Sequence, residues 1–300
     1  MLDARRLRLL RDLARLGTIS AVAQVHTYTP SAVSQQLTAL EREAGVPLLE
    51  RTGRGVTLTA AGQVLVEHAE IVLGALEQAA AAMATSGDEL SGPLRIGAFP
   101  SAVRTLLPGA LVHLGQRHPR LELHVSELDP AAVPDALRER RIDLGLVQDY
   151  DVAPVVPDPA LDTVPLLVET VYLAVPATSA AAAGVRGVAD ARTATWVVSS
   201  PGTLCHTVAL QLCQAAGFQP RVRHHADDFS TVLTLVAADQ GVALVPQLAA
   251  AQPPPGVRLI PLPTRRHTHV AHRRGSAGHP AVAAARSALD ASTRSYLEQS

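Results

Sequence analysis

Apolar residues recur at three- and four-residue steps near the start of the chain, and the period then changes more than once. Residues 2–16 suit an amphipathic helix that stops at Gly17. Thr18 can N-cap a second helix, "ISAVAQV", and Thr29 a third, with Pro30 at its first helical position. On a helical wheel Val33, Leu37, Leu40 and Ala44 form one stripe of that third helix. Ser31, Ser34, Gln35, Thr38 and Arg42 cluster on the opposite side. After Gly45 comes "VPLLERTGRGVTLTAAG", two short β-prone runs around Gly53 and Gly55. That pattern predicts a hairpin tip carrying Arg51 and Arg54.

From Thr59 the helical period returns for about thirty residues, roughly 45 Å of helix. Leu65, Ala69, Val72, Leu76, Ala79 and Met83 lie close to a heptad seam, and its small residues would let two copies of the helix approach. Pairing with a second chain is therefore expected, against the alternative of a helix packed on its own domain. Beyond Gly92 strands and helices alternate. "LRIGAF", "LELHVSE" and "IDLGLV" read as strands, with helices over Ser101–His118 and Ala131–Arg140 between them. A second series follows: "PLLVETVYLAVP", "ATWVVSS", a helix over Thr203–Ala216, "PRVRHHAD", a helix over Phe229–Ala238, and "GVALVP". "RRHTHVAHRRG" reads as a return strand and Ala281–Leu297 as a closing helix. Such βαβ series imply parallel pairing, and two α/β lobes joined by crossover strands leave a cleft between them.

Composition narrows the class. Three hundred residues, 47% hydrophobic and 18% charged, are enough for real cores in two or three domains. The formal net charge of −1 hides an uneven distribution, since the first sixty residues hold eight arginines against five acidic residues. An averaged charge therefore does not exclude DNA binding. The chain has no lysine, so every basic side chain is an arginine. The N-terminus is charged with no continuous apolar core, and no apolar run approaches the ~20 residues a membrane span needs, so a cytoplasmic protein with no membrane partner is expected. Cys205 and Cys213 fall on one predicted helix, about 12 Å apart, too far for a disulfide.

The third helix carries the first candidate chemistry. Its exposed hydroxyls and amides both donate and accept hydrogen bonds, which suits base edges in a major groove, and Gln35 can pair bidentately with adenine. A preceding short helix, a tight turn and an arginine-bearing hairpin complete a helix–turn–helix with a wing, a DNA-docking arrangement. The second candidate is the cleft. Pro100, Ser101 and Ala102 follow the first strand of one lobe, and Ser200, Gly202 and Thr203 follow "WVVS" in the other. Both places are expected helix N-termini, which favour an anion. Arg104 on one side and Asp149, Asp227 and Asp228 on the other conflict in sign. "HTHVAH" puts His267 and His269 on one strand face and His272 on the other, a pattern of solvated histidines rather than a metal site. There is no P-loop spacing and no GxSxG elbow, and "SSPGTLCH" does not bring a nucleophile and base face to face, so catalysis is not expected.

"TISAVAQVHTYTPSAVSQQLTALEREAGVPLLERTGRGVTLTAAG" resembles the winged helix–turn–helix of LysR-type transcriptional regulators. The specific pieces are "SAVSQQL", "LEREAGVPLLERTGRGVTLT" and the "AG" that opens the long helix. "LRIGAFPSA", "IDLGLV", "AGFQPRV" and "LVAADQGVALVP" extend the likeness weakly through the rest of the chain. The resemblance implies linker helices paired into a homodimer or homotetramer, and a small effector held between two periplasmic-binding-protein-like lobes. It also implies double-stranded promoter DNA and RNA polymerase as partners, and no cofactor. Recognition-helix contacts carry over to Thr29, Pro30, Ser31, Ser34, Gln35 and Thr38, and wing contacts to Arg51 and Arg54. Effector contacts carry over to Gln148, Asp149, Phe229 and Pro246. Three positions depart from the pattern: Pro30 stands where the family often has Gln, His26 where it usually has Leu, and Asp239 where it usually has Gly.

The expected fold is thus α/β, with a winged helix-turn-helix at 1–58, a linker helix at 59–90 and a two-lobed effector domain at 91–300. One lobe takes about 91–160 with 267–300, the other 161–266. The alternative is a solute-binding protein or enzyme with a fused helical module.

Overall fold

Side-chain caps set the starts of the first three helices. Asp3 accepts from the N–H groups of Arg5 and Arg6 and opens α1 (Ala4–Leu16), which Gly17 ends. Thr18 accepts from Ala21 to open α2 (Ile19–Val25), and Thr29 from Ala32 to open α3 (Pro30–Ala44). Each oxygen satisfies a first-turn donor that has no partner within the helix. The computed structural model describes the chain except for Arg54, 85–88, 180–182 and Ser300, and describes only the backbone of Arg51.

Two units emerge from the contacts, Met1–Gly87 with Arg273–Pro280, and Asp88–His272 with Ala281–Ser300. In the first, Leu10 and Leu13 of α1, Val22 of α2, and Val33, Leu37 and Leu40 of α3 close one core. Strands β1 (Leu49–Thr52) and β2 (Gly55–Leu58) pair antiparallel, Leu49 opposite Leu58. The Glu41 carboxylate accepts from Leu48 and Leu49 N–H at 3.0 and 3.1 Å, tying the base of that hairpin to α3. Thr59 caps α4 (Ala60–Ala84) through the Gly62 N–H and donates its hydroxyl to the Pro47 carbonyl.

The expected seam of α4 does not form one open face. Ala69 is buried and Leu65 packs on the same core, because α1 lies along this part of the helix. Val72, Leu76 and Met83 are 41%, 49% and 74% exposed. The open stripe is therefore shorter than the six positions the heptad pattern suggests. Further along α4, Gly275 at φ 85° lies against it so closely that a Cβ there would sit 2.2 Å from the Gly74 carbonyl oxygen. Arg273 Nε donates to Glu77 beside it at 3.3 Å.

The second unit begins with β3 (Gly92–Ala98), α5 (Pro100–Thr105), α6 (Leu107–Arg117), β4 (Leu121–Glu127), α7 (Val133–Arg138) and β5 (Leu144–Tyr150). It continues with β6 (Leu161–Pro176), β7 (Thr195–Val198), α8 (Leu204–Ala215), β8 (Arg221–His225), α9 (Phe229–Ala237) and β9 (Ala243–Pro246). β10 (Val257–Arg273) and α10 (Pro280–Gln299) close the chain. One sheet has the order β4-β3-β5-β10-β6-β9. β3 is parallel to β4 and β5, whereas β10 runs antiparallel to β5 with Arg266 opposite Tyr150. β7 and β8 pair parallel, and a bridge from Trp196 to Val242 joins β7 to the segment leading into β9. Two cores result. Ile96, Leu107, Leu144 and Leu289 belong to one, and Leu173, Trp196, Val208 and Val242 to the other.

The long strands β6 and β10 pass from one core to the other. β10 starts at Val257, eight residues before the expected return strand. Its first half is hidden in sequence by Pro261 and Pro263, which face outward while Leu262 and Thr264 are buried. The expected single helix over 101–118 breaks at Leu106 into α5 and α6, with Pro108 in the first turn of α6. The expected helix over 131–140 shrinks to six-residue α7 behind a 3-10 turn at Pro130–Ala132. Asp239 does keep the bend that a glycine would favour: its φ is 58°, and Gln240 N–H closes onto the Leu235 carbonyl at 3.0 Å. Among the described residues no helix is long and apolar enough to cross a membrane.

A Cβ on Gly62 would lie 2.2 Å from the Leu48 carbonyl oxygen, and a backbone atom cannot yield as a side chain does. Gly62→Ala should gain about 1 kcal/mol of helix propensity yet lose about 2 kcal/mol net in urea unfolding, because α4 must shift from the hairpin. Asp239→Gly should instead raise stability by up to about 1 kcal/mol, since the left-handed strain outweighs the glycine's extra chain entropy. An unchanged or lower unfolding midpoint would show that the aspartate relieves the strain itself.

Candidate functional site

The exposed side of α3 follows from its capped start and its buried stripe. Thr29, Pro30, Ser31, Gln35 and Thr38 are exposed and Ser34 is half-buried, opposite the buried Val33, Leu37 and Leu40. Thr29 Oγ1 lies 3.0 Å from Ser31 Oγ while accepting from Ala32 N–H at 3.2 Å, so these two hydroxyls are pre-positioned together. Gln36, on the flank, accepts from Arg6 Nε at 2.9 Å, which leaves Gln35 as the outward amide. Of the two expected wing arginines, Arg51 sits in β1 opposite Val56, and Arg54 lies outside the described residues.

Polar contacts hold the turn that presents this face. His26 Nε2 lies 2.7 Å from Asp12 Oδ2, and Arg11 donates to Asp12 Oδ1 from Nε and Nη2 at 3.0 and 2.8 Å. Burial works against ionisation of Asp12, but the His26 hydrogen bond and the adjacent Arg11 charge outweigh it and hold the carboxyl below its usual range. Thr27, next in the chain, takes φ 56°, and Tyr28 N–H closes onto the Ala23 carbonyl at 2.8 Å. His26 thus serves as a polar strut between α1 and the turn.

In the second unit a cleft divides into two chambers. One, termed the inner chamber because the fully buried Arg266 lines it, is about 350 Å³ and is lined also by Phe99, Ser101, Asp129 and Phe229 among others. The outer one, about 510 Å³, is lined by Pro134, Val155, Leu161 and His269 among others. Gln148 and Cys205 line both, and Gln148 Nε2 sits 3.8 Å from Cys205 Sγ. Tyr150 Oη is 3.6 Å from the same sulfur. Burial, with Cys205 beside it, pushes the Tyr150 hydroxyl well up, and burial also pushes the Cys205 thiol up. Cys213, buried on the same helix, is pushed up to about 12 by burial.

The ten expected cleft residues are placed unevenly. Pro100, Ser101, Gln148, Thr203 and Phe229 line the inner chamber together. Asp149 lines the outer chamber. Pro246 lines a small neighbouring cavity with Phe229. Ala102 is fully buried in the core. Ser200 is engaged with Asp227, through its N–H at 2.8 Å and its hydroxyl at 2.7 Å, and neither it nor Gly202 lines either chamber. The expected anion site at α5 is a helix of only six residues.

Arg266 is the residue sequence reasoning passed over. It is 1% exposed, donates from Nη2 to Glu169 Oε2 at 2.8 Å, and lies 4.7 Å from the Phe99 ring centre. Burial works against its charge, but Glu169 more than offsets this and raises it further. The available signal was alternation: Thr264, Arg266 and Thr268 are polar residues on the buried face of β10. At the rim, Arg104 Nη1 reaches Asp228 Oδ2 at 3.3 Å, an exposed pair worth about 1 kcal/mol at most. His269 stands 3.9 Å from Asp149, and burial pushes its ring pKa down against the attraction of that carboxylate. Among the described residues no group of three or more His, Cys, Asp or Glu is placed to hold a metal ion.

Comparison with known proteins matches both units to one family. A family model for a bacterial regulatory helix-turn-helix protein of the lysR family matches residues 4–63, and one for the LysR substrate binding domain matches residues 87–294. The transcriptional dual regulator GltC of Bacillus subtilis is 28% identical over 257 residues, 85% of this chain and 84% of its own. A hydrogen peroxide-inducible genes activator of Dickeya chrysanthemi is 31% identical over 251 residues, 81% of this chain and 80% of its own. Full-length CbnR in complex with its target DNA shares the fold with a TM-score of 0.56 at 22% identity, covering 97% of this chain and all of that one.

Ser101 Oγ, 3% exposed, has no protein partner. Ser101→Ala should therefore leave the unfolding midpoint of the ligand-free protein unchanged or raise stability by up to about 1 kcal/mol, as read by urea unfolding. A loss of more than about 1 kcal/mol would mean the hydroxyl holds the fold rather than facing the chamber.

Proposed function

The chain belongs to the LysR family of DNA-binding transcriptional regulators, and on that premise we propose that α3 reads operator sequence while a small effector in the cleft switches the outcome. The observation that carries the first half is the uncharged N-terminal part of the outer face of α3, from Ser31 to Thr38. Ser31, Gln35 and Thr38 are exposed above a stripe that is fully buried. Hydroxyl and amide groups discriminate base edges, whereas arginines serve the phosphates and set register. Arg51 and Arg54 of the wing take that second role, with Thr29, Pro30 and Ser34 bordering the reading face. Pro30 offers no side-chain hydrogen bond, so Ser31 and Gln35 carry more of the readout.

The exposed stripe of Val72, Leu76 and Met83 on α4 supports assembly as a homodimer or homotetramer. A promoter-bound oligomer of this kind meets RNA polymerase in the cytoplasm, acting by binding rather than by catalysis and without a metal or other cofactor. A ligand that fills the cleft shifts the regulator only if it binds one arrangement of the chain better than another.

The name of the Dickeya relative, a hydrogen peroxide-inducible genes activator, raises a second reading, a peroxide response, which in this chain would call on Cys205 or Cys213. Thiolate is the reactive form, and burial pushes both thiols of this chain up, away from it. Effector binding is the better-supported switch.

Retention of a fragment from the neighbouring intergenic DNA in a gel shift, weakening steeply as salt rises, tests the proposal directly. Gln35→Ala should cost about 1–3 kcal/mol on the preferred operator and alter which base is favoured, with little change on unrelated DNA. Arg54→Ala should weaken binding to all sequences alike and lower the salt slope by about 1. Equal losses on every sequence for both variants would contradict this division of labour.

A further inference from the structure

Three residues that line the inner chamber each carry a buried polar atom without a protein partner: Ser101 Oγ, Gln148 Oε1 and Arg266 Nε. Their residues are 3%, 8% and 1% exposed. Leaving a buried donor or acceptor unmade is costly, so such a set marks where a ligand completes the bonding. Two of the atoms sit on groups that can donate, Ser101 O–H and Arg266 Nε–H, and they suit the two oxygens of a carboxylate. The third, a carbonyl oxygen, accepts only and suits an N–H group.

The charges around the chamber oppose a simple anion. Arg104 and Arg266 face Glu127, Asp129, Asp227 and Asp228 across its lining. Arg266 is further offset by Glu169 behind it at 2.8 Å, and Arg104 by Asp228 at 3.3 Å. Asp227 is committed to Ser200, and Asp129 uses Oδ1 to accept from Ala131 N–H at 2.8 Å. A ligand carrying only negative charge would meet this acidic excess. A ligand carrying only positive charge would leave the Arg266 Nε–H without an acceptor. Only a ligand with both charges serves the donors and the acids at once.

Resting on the reading of this cleft as the effector site, we propose that the inner chamber takes a free α-amino acid with an apolar side chain. The carboxylate lies on Arg266 Nε and Ser101 Oγ, and the ammonium lies between Gln148 Oε1 and Asp129. Phe99, Pro100, Pro130 and Phe229 supply apolar walls for the side chain. A volume of about 350 Å³ stands near the lower end of small-molecule sites, in keeping with a ligand of this size.

The test uses the full-length protein and seven probes: L-valine, L-leucine, L-isoleucine, L-methionine, L-phenylalanine, L-tyrosine and L-tryptophan. Thermal unfolding and calorimetric titration are run on each, beside its analogue lacking the amine and its analogue lacking the carboxylate. At least one amino acid should raise Tm and bind with Kd of about 1 mM or tighter, and both of its single-charge analogues should bind at least about tenfold more weakly. Asp129→Asn keeps the turn cap and should weaken the amino acid about tenfold while sparing the amine-free analogue. Ser101→Ala should weaken the amino acid and the amine-free analogue together. The proposal is overturned if no amino acid binds, if either analogue binds as well as its parent, or if Asp129→Asn binds the amino acid unchanged. A gel shift run in parallel separates the two failures. Retained operator binding without amino-acid binding strikes the ligand class alone, and loss of DNA binding strikes the regulator reading itself.

Discussion

The buried pair between Arg266 and Glu169 is the constraint on which the cleft depends. Both side chains are almost wholly withdrawn from water, and they meet at 2.8 Å between β10 and β6, the strands that run through both cores. Taking two charges out of water costs several kcal/mol per ion, and further hydrogen bonds to the pair offset that cost. Glu169 gains one by accepting the Leu248 N–H with its second oxygen, at 2.9 Å. Arg266 is satisfied only in part. Its Nη2 is bonded and its plane lies near Phe99, but Nε has no protein partner. The pair thus ties the two long strands together and leaves one strong donor unpartnered on a residue that lines the chamber.

That arrangement explains why the site was harder to read than the fold. The first three helices were legible because their ends are encoded locally. Asp3, Thr18 and Thr29 cap through their own side chains, and the buried stripes have helical period. The first half of β10 was not legible, because Pro261 and Pro263 read as breakers. They are tolerated since they alternate outward along the strand while Leu262 and Thr264 turn in. Arg266 was missed for a related reason. Amid so many arginines and histidines it looked like part of a solvated strand, and only the partner from β6, ninety-seven residues away, makes its burial possible. Residues whose role rests on such a distant partner leave no local pattern.

Helix-terminus reasoning accounts for only part of the cleft, on the same physical ground. Ser200 and Gly202 lie where a strand gives way to a helix, as expected, yet Ser200 spends both its N–H and its hydroxyl on Asp227. An acidic residue already occupies the place where an anion was anticipated. On the other wall the helix after β3 breaks at six residues, too short to present much of a dipole. The positive character of the site comes from a side chain on a strand, and the surrounding acids limit what that side chain can attract.

At the DNA-reading unit the decisive feature is backbone strain held by contacts. Thr27 takes φ 56°, a region that a β-branched residue enters at a cost of about 1–2 kcal/mol. Local preference therefore does not set the turn between α2 and α3. Two bonds do: Tyr28 N–H to the Ala23 carbonyl at 2.8 Å, and His26 to Asp12 at 2.7 Å. The second reaches back to α1, so the direction of α3 is fixed by the whole core of that unit rather than by the turn. A leucine at position 26 could fill the same space but could not bond a buried carboxylate. The departure at His26 is thus matched by the buried Asp12, whose second oxygen it bonds while Arg11 holds the first.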